Sequence, residues 1–249
     1  MKKLMMVVMA SVCALGLLAD VSPIYFAAVA AEGAGVLPFA DGERIAFLGD
    51  SITQLGTDDP RGWVNHVERA IRAETPEVSF IQAGVSGHTS RDMLARVNRD
   101  VLSRKPNWMF FSCGVNDAPN GFTDARKNAD VPLAEYRANV SKIFDMCDAR
   151  GVKVIVLSQT PVLEDPDHVA NANLVAYNAA LKELALKRGY RYLDPGAAIR
   201  AAIGRKADKS TLELTVDGTH LSDVGNRIYA DTVLKGLRVV SKTAKNSDR

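Results

Sequence analysis

Four short stretches carry the residue types that acyl transfer needs. Gly49-Asp50-Ser51-Ile52-Thr53 places a serine directly after an apolar run. Ser86-Gly87-His88-Thr89 offers a glycine whose backbone N–H a ligand can approach. Gly114-Val115-Asn116-Asp117 supplies a side-chain amide, and Asp217-Gly218-Thr219-His220 a carboxylate and an imidazole three residues apart. A serine hydroxyl is a poor nucleophile until a base takes its proton. His220 can do that, with Asp217 orienting its ring across a single turn. The tetrahedral intermediate carries negative charge on the former carbonyl oxygen. The N–H groups of Ser51 and Gly87 and the Asn116 amide are the candidate donors to it, each typically worth on the order of 3 kcal/mol of transition-state stabilisation.

Plainer roles compete for the same residues. Ser51 could cap a helix. Asn116 and Asp117 alone would mark a turn, and Gly84 suits turn geometry. His66 falls within an amphipathic helix. His168 closes Glu164-Asp165-Pro166-Asp167-His168, a poor ligand set that reads as a solvated loop. Asp50, His88, Asp117 and Thr160 are the candidates for lining the substrate site. For Asp50 a turn residue, and for His88 a loop cap, are the alternatives. The polar segment from Asp117 to Val131 is either a wall of that site or an insertion. Asn139-Val140-Ser141 fits a glycosylation triplet, but inside a predicted helix.

The elements that must position these residues follow from periodicity. Apolar runs at Arg44–Leu48, Val78–Gln82, Trp108–Ser112, Val152–Leu157 and Tyr190–Leu193 read as buried strands. Helical spacing marks Gly62–Thr75, Thr89–Arg104, Leu133–Arg150, Val169–Arg188, Pro195–Ile203 and Ser222–Val240. Alternation of β and α predicts a three-layer α/β/α sandwich around a five-stranded parallel sheet, with ligands beyond the carboxyl ends of the strands. The serine, glycine and amide blocks sit at those ends.

The four blocks, in this order and each where a site loop belongs, resemble the SGNH, or GDSL, hydrolase superfamily, from about Arg44 to about Leu237. The resemblance implies a flavodoxin-like fold and ester hydrolysis without a metal or other cofactor. It makes Ser51 the nucleophile, Asp217 and His220 the acid and base, and Gly87 and Asn116 oxyanion donors. At the second block many relatives have Asp or Asn where this chain has His88. The chain has no Gly-x-Ser-x-Gly elbow, P-loop, dinucleotide fingerprint or His-Glu-x-x-His pair.

Composition narrows the class further. The 249 residues hold 31 Lys+Arg against 29 Asp+Glu, a net charge of +2, which argues against a nucleic-acid partner. Lys2 and Lys3 precede an apolar run from Leu4 to Ala19, and Ala28-Val29-Ala30 or Val29-Ala30-Ala31 fits a cleavage site. This predicts a signal peptide over 1–31 and an exported protein, periplasmic or secreted, because the run is short for a membrane span of roughly 20 residues. Residues 32–42, rich in Gly, Ala and Pro, read as a linker, 43–240 as the catalytic domain and 241–249 as a flexible tail. Cys113 and Cys147 read as two buried thiols. An exported chain with polar loops around the site leans to a carbohydrate O-acetyl esterase acting on an acetylated glycan. A short-chain lipid esterase or thioesterase is the runner-up, and a silent carbohydrate-binding envelope protein the alternative of another class.

Overall fold

The computed structural model describes residues 35–119, 130–165, 167–208 and 211–238. The proposed signal segment, the tail and most of the polar insertion lie outside the described residues. Five parallel strands form one sheet in the order β2-β1-β3-β4-β5: β1 (Arg44–Gly49), β2 (Ser79–Gly84), β3 (Trp108–Ser112), β4 (Lys153–Leu157) and β5 (Arg191–Leu193). Among the described residues seven α-helices accompany them: α1 (Ser51–Asp58), α2 (Trp63–Glu74), α3 (Ser90–Asp100), α4 (Leu133–Asp148), α5 (Val169–Lys187), α6 (Pro195–Arg205) and α7 (Asp223–Leu237).

The sheet is covered on both faces, which is why its strands read as unbroken apolar runs. Alternate residues of β1 face opposite layers. Ala46 and Leu48 join Met109, Phe111 and the inward stripes of α3, α4 and α5. Ile45 and Phe47 join Phe110, Ile155 and the stripes of α2 and α7. Phe47 stacks on Phe110 with ring centroids 4.8 Å apart and meets the edge of Trp63 at 5.7 Å.

Five readings need correction or completion. α1 is not apparent in the periodicity: it holds one large buried apolar residue, Ile52, and forms because Asp50 caps it and Trp63 Nε1 donates to Ile52 O at 3.0 Å. Ser51 is its first residue and not its cap. The supposed linker is part of the domain from Leu37 onward. Leu37 and Phe39 are buried, Leu37 N donates to the Glu74 carboxylate, and Phe39 packs edge-on to Trp108. His168 caps α5, accepting from Ala170 N. Asn139, buried on α4, donates to Ser90 Oγ. Cys113 and Cys147 are buried free thiols, as expected.

Two close approaches position α1. A Cβ on Gly84 would lie 2.3 Å from Gln54 N, so the first turn of α1 rests directly on the end of β2. Gln54 Oε1 then accepts from Ser86 N at 2.7 Å and ties the helix to the loop after β2. Trp63 is fully buried between Phe47 and Tyr229, and its backbone N–H donates to Asn226 Oδ1 on α7. Trp63→Ala is expected to lower stability by about 3–5 kcal/mol in urea unfolding, through the cavity and the lost bond to α1.

Candidate active site

The carboxyl ends of β1, β2 and β3 and the turn before α7 converge. Ser51 stands at the head of α1, where the first N–H groups have no carbonyl one turn back. Asp50 Oδ1 takes the Ile52 N–H at 3.0 Å. Although 169 residues away in sequence, His220 Nε2 lies 2.9 Å from Ser51 Oγ, and His220 Nδ1 lies 2.6 Å from Asp217 Oδ2.

The direction of the relay follows from Asp217. Burial raises its pKa, but the His220 and Thr219 N–H groups and the His220 ring outweigh this and hold it below the usual value. The carboxyl is therefore an ionised acceptor, with Oδ1 bonded to Thr219 N (2.9 Å) and His220 N (2.8 Å). Nδ1 of His220 then donates to this carboxylate, and in the neutral ring Nε2 is the lone-pair nitrogen that accepts from Ser51 Oγ–H. That is the tautomer in which a serine can be deprotonated.

The turn bearing this pair is a small closed loop. Ser222 N donates to Leu214 O, Thr215 bridges Leu221 in antiparallel register, and Val216 N donates to His220 O at 2.8 Å. Asp217, Gly218 and Thr219 form its tip. Leu163 N, arriving after β4, donates to Gly218 O.

Of the three expected oxyanion donors, Gly87 and Asn116 lie in two loops that bond to each other. Gly87 has φ +75°, a left-handed conformation that explains glycine there. Asn116 Nδ2 donates to His88 O at 3.1 Å and keeps a second N–H on the same nitrogen. Arg96 ties the ends of β1 and β2 to the Gly87 loop: Nη2 reaches Gly49 O, Nη1 reaches Ala83 O and Nε reaches His88 Nδ1, each at 2.9 Å. Arginine can only donate, so His88 Nδ1 accepts and its ring is neutral with the proton on Nε2.

The four expected substrate-lining residues divide. His88 is half-buried beside the oxyanion loops. Asp50, Asp117 and Thr160 are closed to solvent and form no part of an accessible wall. Asp117 accepts the Ser90 N–H with both oxygens (2.9 and 3.1 Å) and so holds the start of α3. Burial lifts its pKa to about 6. Sequence reasoning passed over Arg96, Gln54 and Gln159. The last bonds Ser112 Oγ and Val115 N beneath the third block. Arg96 did leave a trace, because it falls between Met93 and Val97 on an otherwise apolar stripe.

Fold and site together define a hydrolase of the SGNH type. The chain belongs to the GDSL-like Lipase/Acylhydrolase family, whose profile matches residues 47–228. It is a carboxylic ester hydrolase. An acetylxylan esterase of Geobacillus stearothermophilus is 25% identical over 214 residues, covering 81% of this chain and 96% of that protein. An isoamyl acetate-hydrolyzing esterase of Saccharomyces cerevisiae is 24% identical, covering 78% and 86%. A crystal structure of the Geobacillus enzyme superposes with a TM-score of 0.70 at 25% identity, covering 80% of this chain and 95% of that one.

Asp50 makes the site sensitive to pH in the folded state. Burial, partly offset by the Ile52 N–H, raises its pKa from 3.8 to about 7, and Oδ2 has no hydrogen-bond partner. The folded protein therefore holds a proton that the unfolded chain releases. Stability is lost as pH rises from 3.8 towards 7. Asp50→Asn, which cannot ionise, is expected to flatten that slope. Between about pH 5 and about pH 8, urea midpoints should fall further for wild type than for the variant.

Proposed function

We propose that the protein is an exported esterase that removes O-acetyl groups from carbohydrates through an acyl-enzyme on Ser51. The observation that carries this reading is the continuous relay Ser51 Oγ–His220 Nε2 and His220 Nδ1–Asp217 Oδ2, at 2.9 and 2.6 Å. Two esterases of acetyl esters among the relatives support the acetyl preference. The charged leader over residues 1–31 supports export. Among the described residues no helix is long and apolar enough to cross a membrane.

The steps follow from the donors and acceptors. Ser51 Oγ attacks the ester carbonyl carbon as its proton passes to His220 Nε2. The imidazolium is stabilised by ionised Asp217, and the N–H groups of Ser51, Gly87 and Asn116 receive the oxyanion. The tetrahedral species collapses, the C–O bond to the sugar breaks, and His220 returns the proton to the leaving hydroxyl. Water then attacks the acetyl-Ser51 carbonyl, giving its proton to the same nitrogen, and acetate leaves as Ser51 regains its hydrogen.

Acetate release from acetylated xylo-oligosaccharides should be lost by about 10⁴-fold or more in Ser51→Ala and comparably in His220→Ala. Asn116→Ala should lower kcat by about 10²–10³-fold with a smaller change in KM, since its bond tightens in the transition state. Faster Ser51-dependent cleavage of p-nitrophenyl octanoate than of the acetate would replace the carbohydrate reading with the lipid or thioester one. Equal glycan binding by wild type and Ser51→Ala, with no turnover of any ester, would leave a binding protein.

A further inference from the structure

The loop that carries Asp217 and His220 is held from below by a carboxylate outside the four blocks. Glu164 lies just beyond β4, with its side chain about 1% exposed. Its Oε1 accepts from three successive backbone amides, Glu213 N (3.0 Å), Leu214 N (2.7 Å) and Thr215 N (2.6 Å), and from Thr215 Oγ1 (2.8 Å). Its Oε2 takes Lys206 Nζ at 2.6 Å and shares Glu213 N at 3.2 Å. Lys206, equally buried, also donates to Thr211 O. Consecutive amides turned on one anion form a nest, a concavity suited to a negative charge.

The amides so gathered belong to the stem of the catalytic loop. Thr215 is the residue that bridges Leu221, and Leu214 O accepts from Ser222 N. Asp217 follows two residues later. The segment that delivers Glu164 is itself in an uncommon conformation, with Leu163 at φ 61° and Glu164 at φ 49°. Side-chain-bearing residues persist there only where the surroundings hold them. Leu163 N meanwhile grips the loop's tip through Gly218 O. Stem and tip are thus fixed by two adjacent residues of one strained turn.

We propose that Glu164 is a positioning residue for the reaction: its nest sets the height and tilt of the loop, and hence the place of His220 Nε2 against Ser51 Oγ. This rests on the reading of Ser51, His220 and Asp217 as the relay. Lys206 neutralises the buried carboxylate and leaves the backbone contacts to Glu164. A carboxamide has a single acceptor oxygen and cannot serve both the nest and Lys206.

The test compares wild type, Glu164→Gln, Thr215→Val and Ser51→Ala in acetate release from acetylated xylo-oligosaccharides, each well below its own melting midpoint. Glu164→Gln should lower kcat by roughly ten- to a hundredfold, the scale of a misplacement of about 1 Å, with KM within about twofold. A downfield proton resonance of His220 Nδ1–H, expected in wild type from its short bond to Asp217, should shift or broaden. Thr215→Val, which removes one bond to Oε1, should show the same kcat effect at about threefold and decides the matter if Glu164→Gln does not fold. Wild-type kcat with an unmoved resonance in the folded variants would overturn the proposal while Ser51→Ala remains inactive. So would a loss of activity that vanishes on cooling, which would mark Glu164 as a stabilising residue alone. Full activity in Ser51→Ala would instead remove the relay reading, and the positioning role with it.

Discussion

The site depends on how closely α1 approaches the ends of β1 and β2. Gly84 leaves no room for a side chain between β2 and the backbone of Gln54, and the helix starts at once on Asp50. Ser51 therefore rides on the junction of a strand and a helix, both anchored in the core. Arg96 draws Gly49 O, Ala83 O and His88 onto one guanidinium. The loops after β1 and β2 thus form one rigid rim. A Cβ on Gly84 would lift α1 and carry Ser51 away from His220.

The second half of the chemistry is built differently. Asp217 and His220 stand near the tip of a loop, and the Asp217 side chain is half exposed. Leu214 and Leu221 of its stem pack on Ile199 and Ile203, while the tip is held by polar bonds: two N–H groups on Asp217 Oδ1 and the contact from Leu163. A tip held by hydrogen bonds costs little apolar area, and it leaves His220 open on the side where an ester must enter. The cost falls elsewhere, in the buried Glu164–Lys206 pair and in two residues at positive φ.

The strands were legible because burial on both faces leaves continuous apolar runs such as Ile45–Leu48 and Val154–Leu157. The four blocks were legible because acyl transfer admits few residue types. α1 was not, since Ser-Ile-Thr-Gln-Leu-Gly has weak helix propensity and forms through a cap and tertiary contacts. Leu37 and Phe39 were hidden among Gly, Ala and Pro, where two isolated apolar residues carry no period. Asp117 and Thr160 stood at the right strand ends, but a strand end has an inner as well as an outer side, and sequence does not tell them apart. Glu164 was read within an acidic cluster. Its partner Lys206 lies 42 residues on and the amides it gathers have no side-chain signature.

Ser51 lies on the first helix of the described chain and His220 immediately before the last, and Trp63 meets Asn226 and Tyr229 where those ends of the domain close. A partial chain that stops before His220 lacks one half of the relay. A truncation there removes His220 together with Asn226 and Tyr229, the residues that meet Trp63.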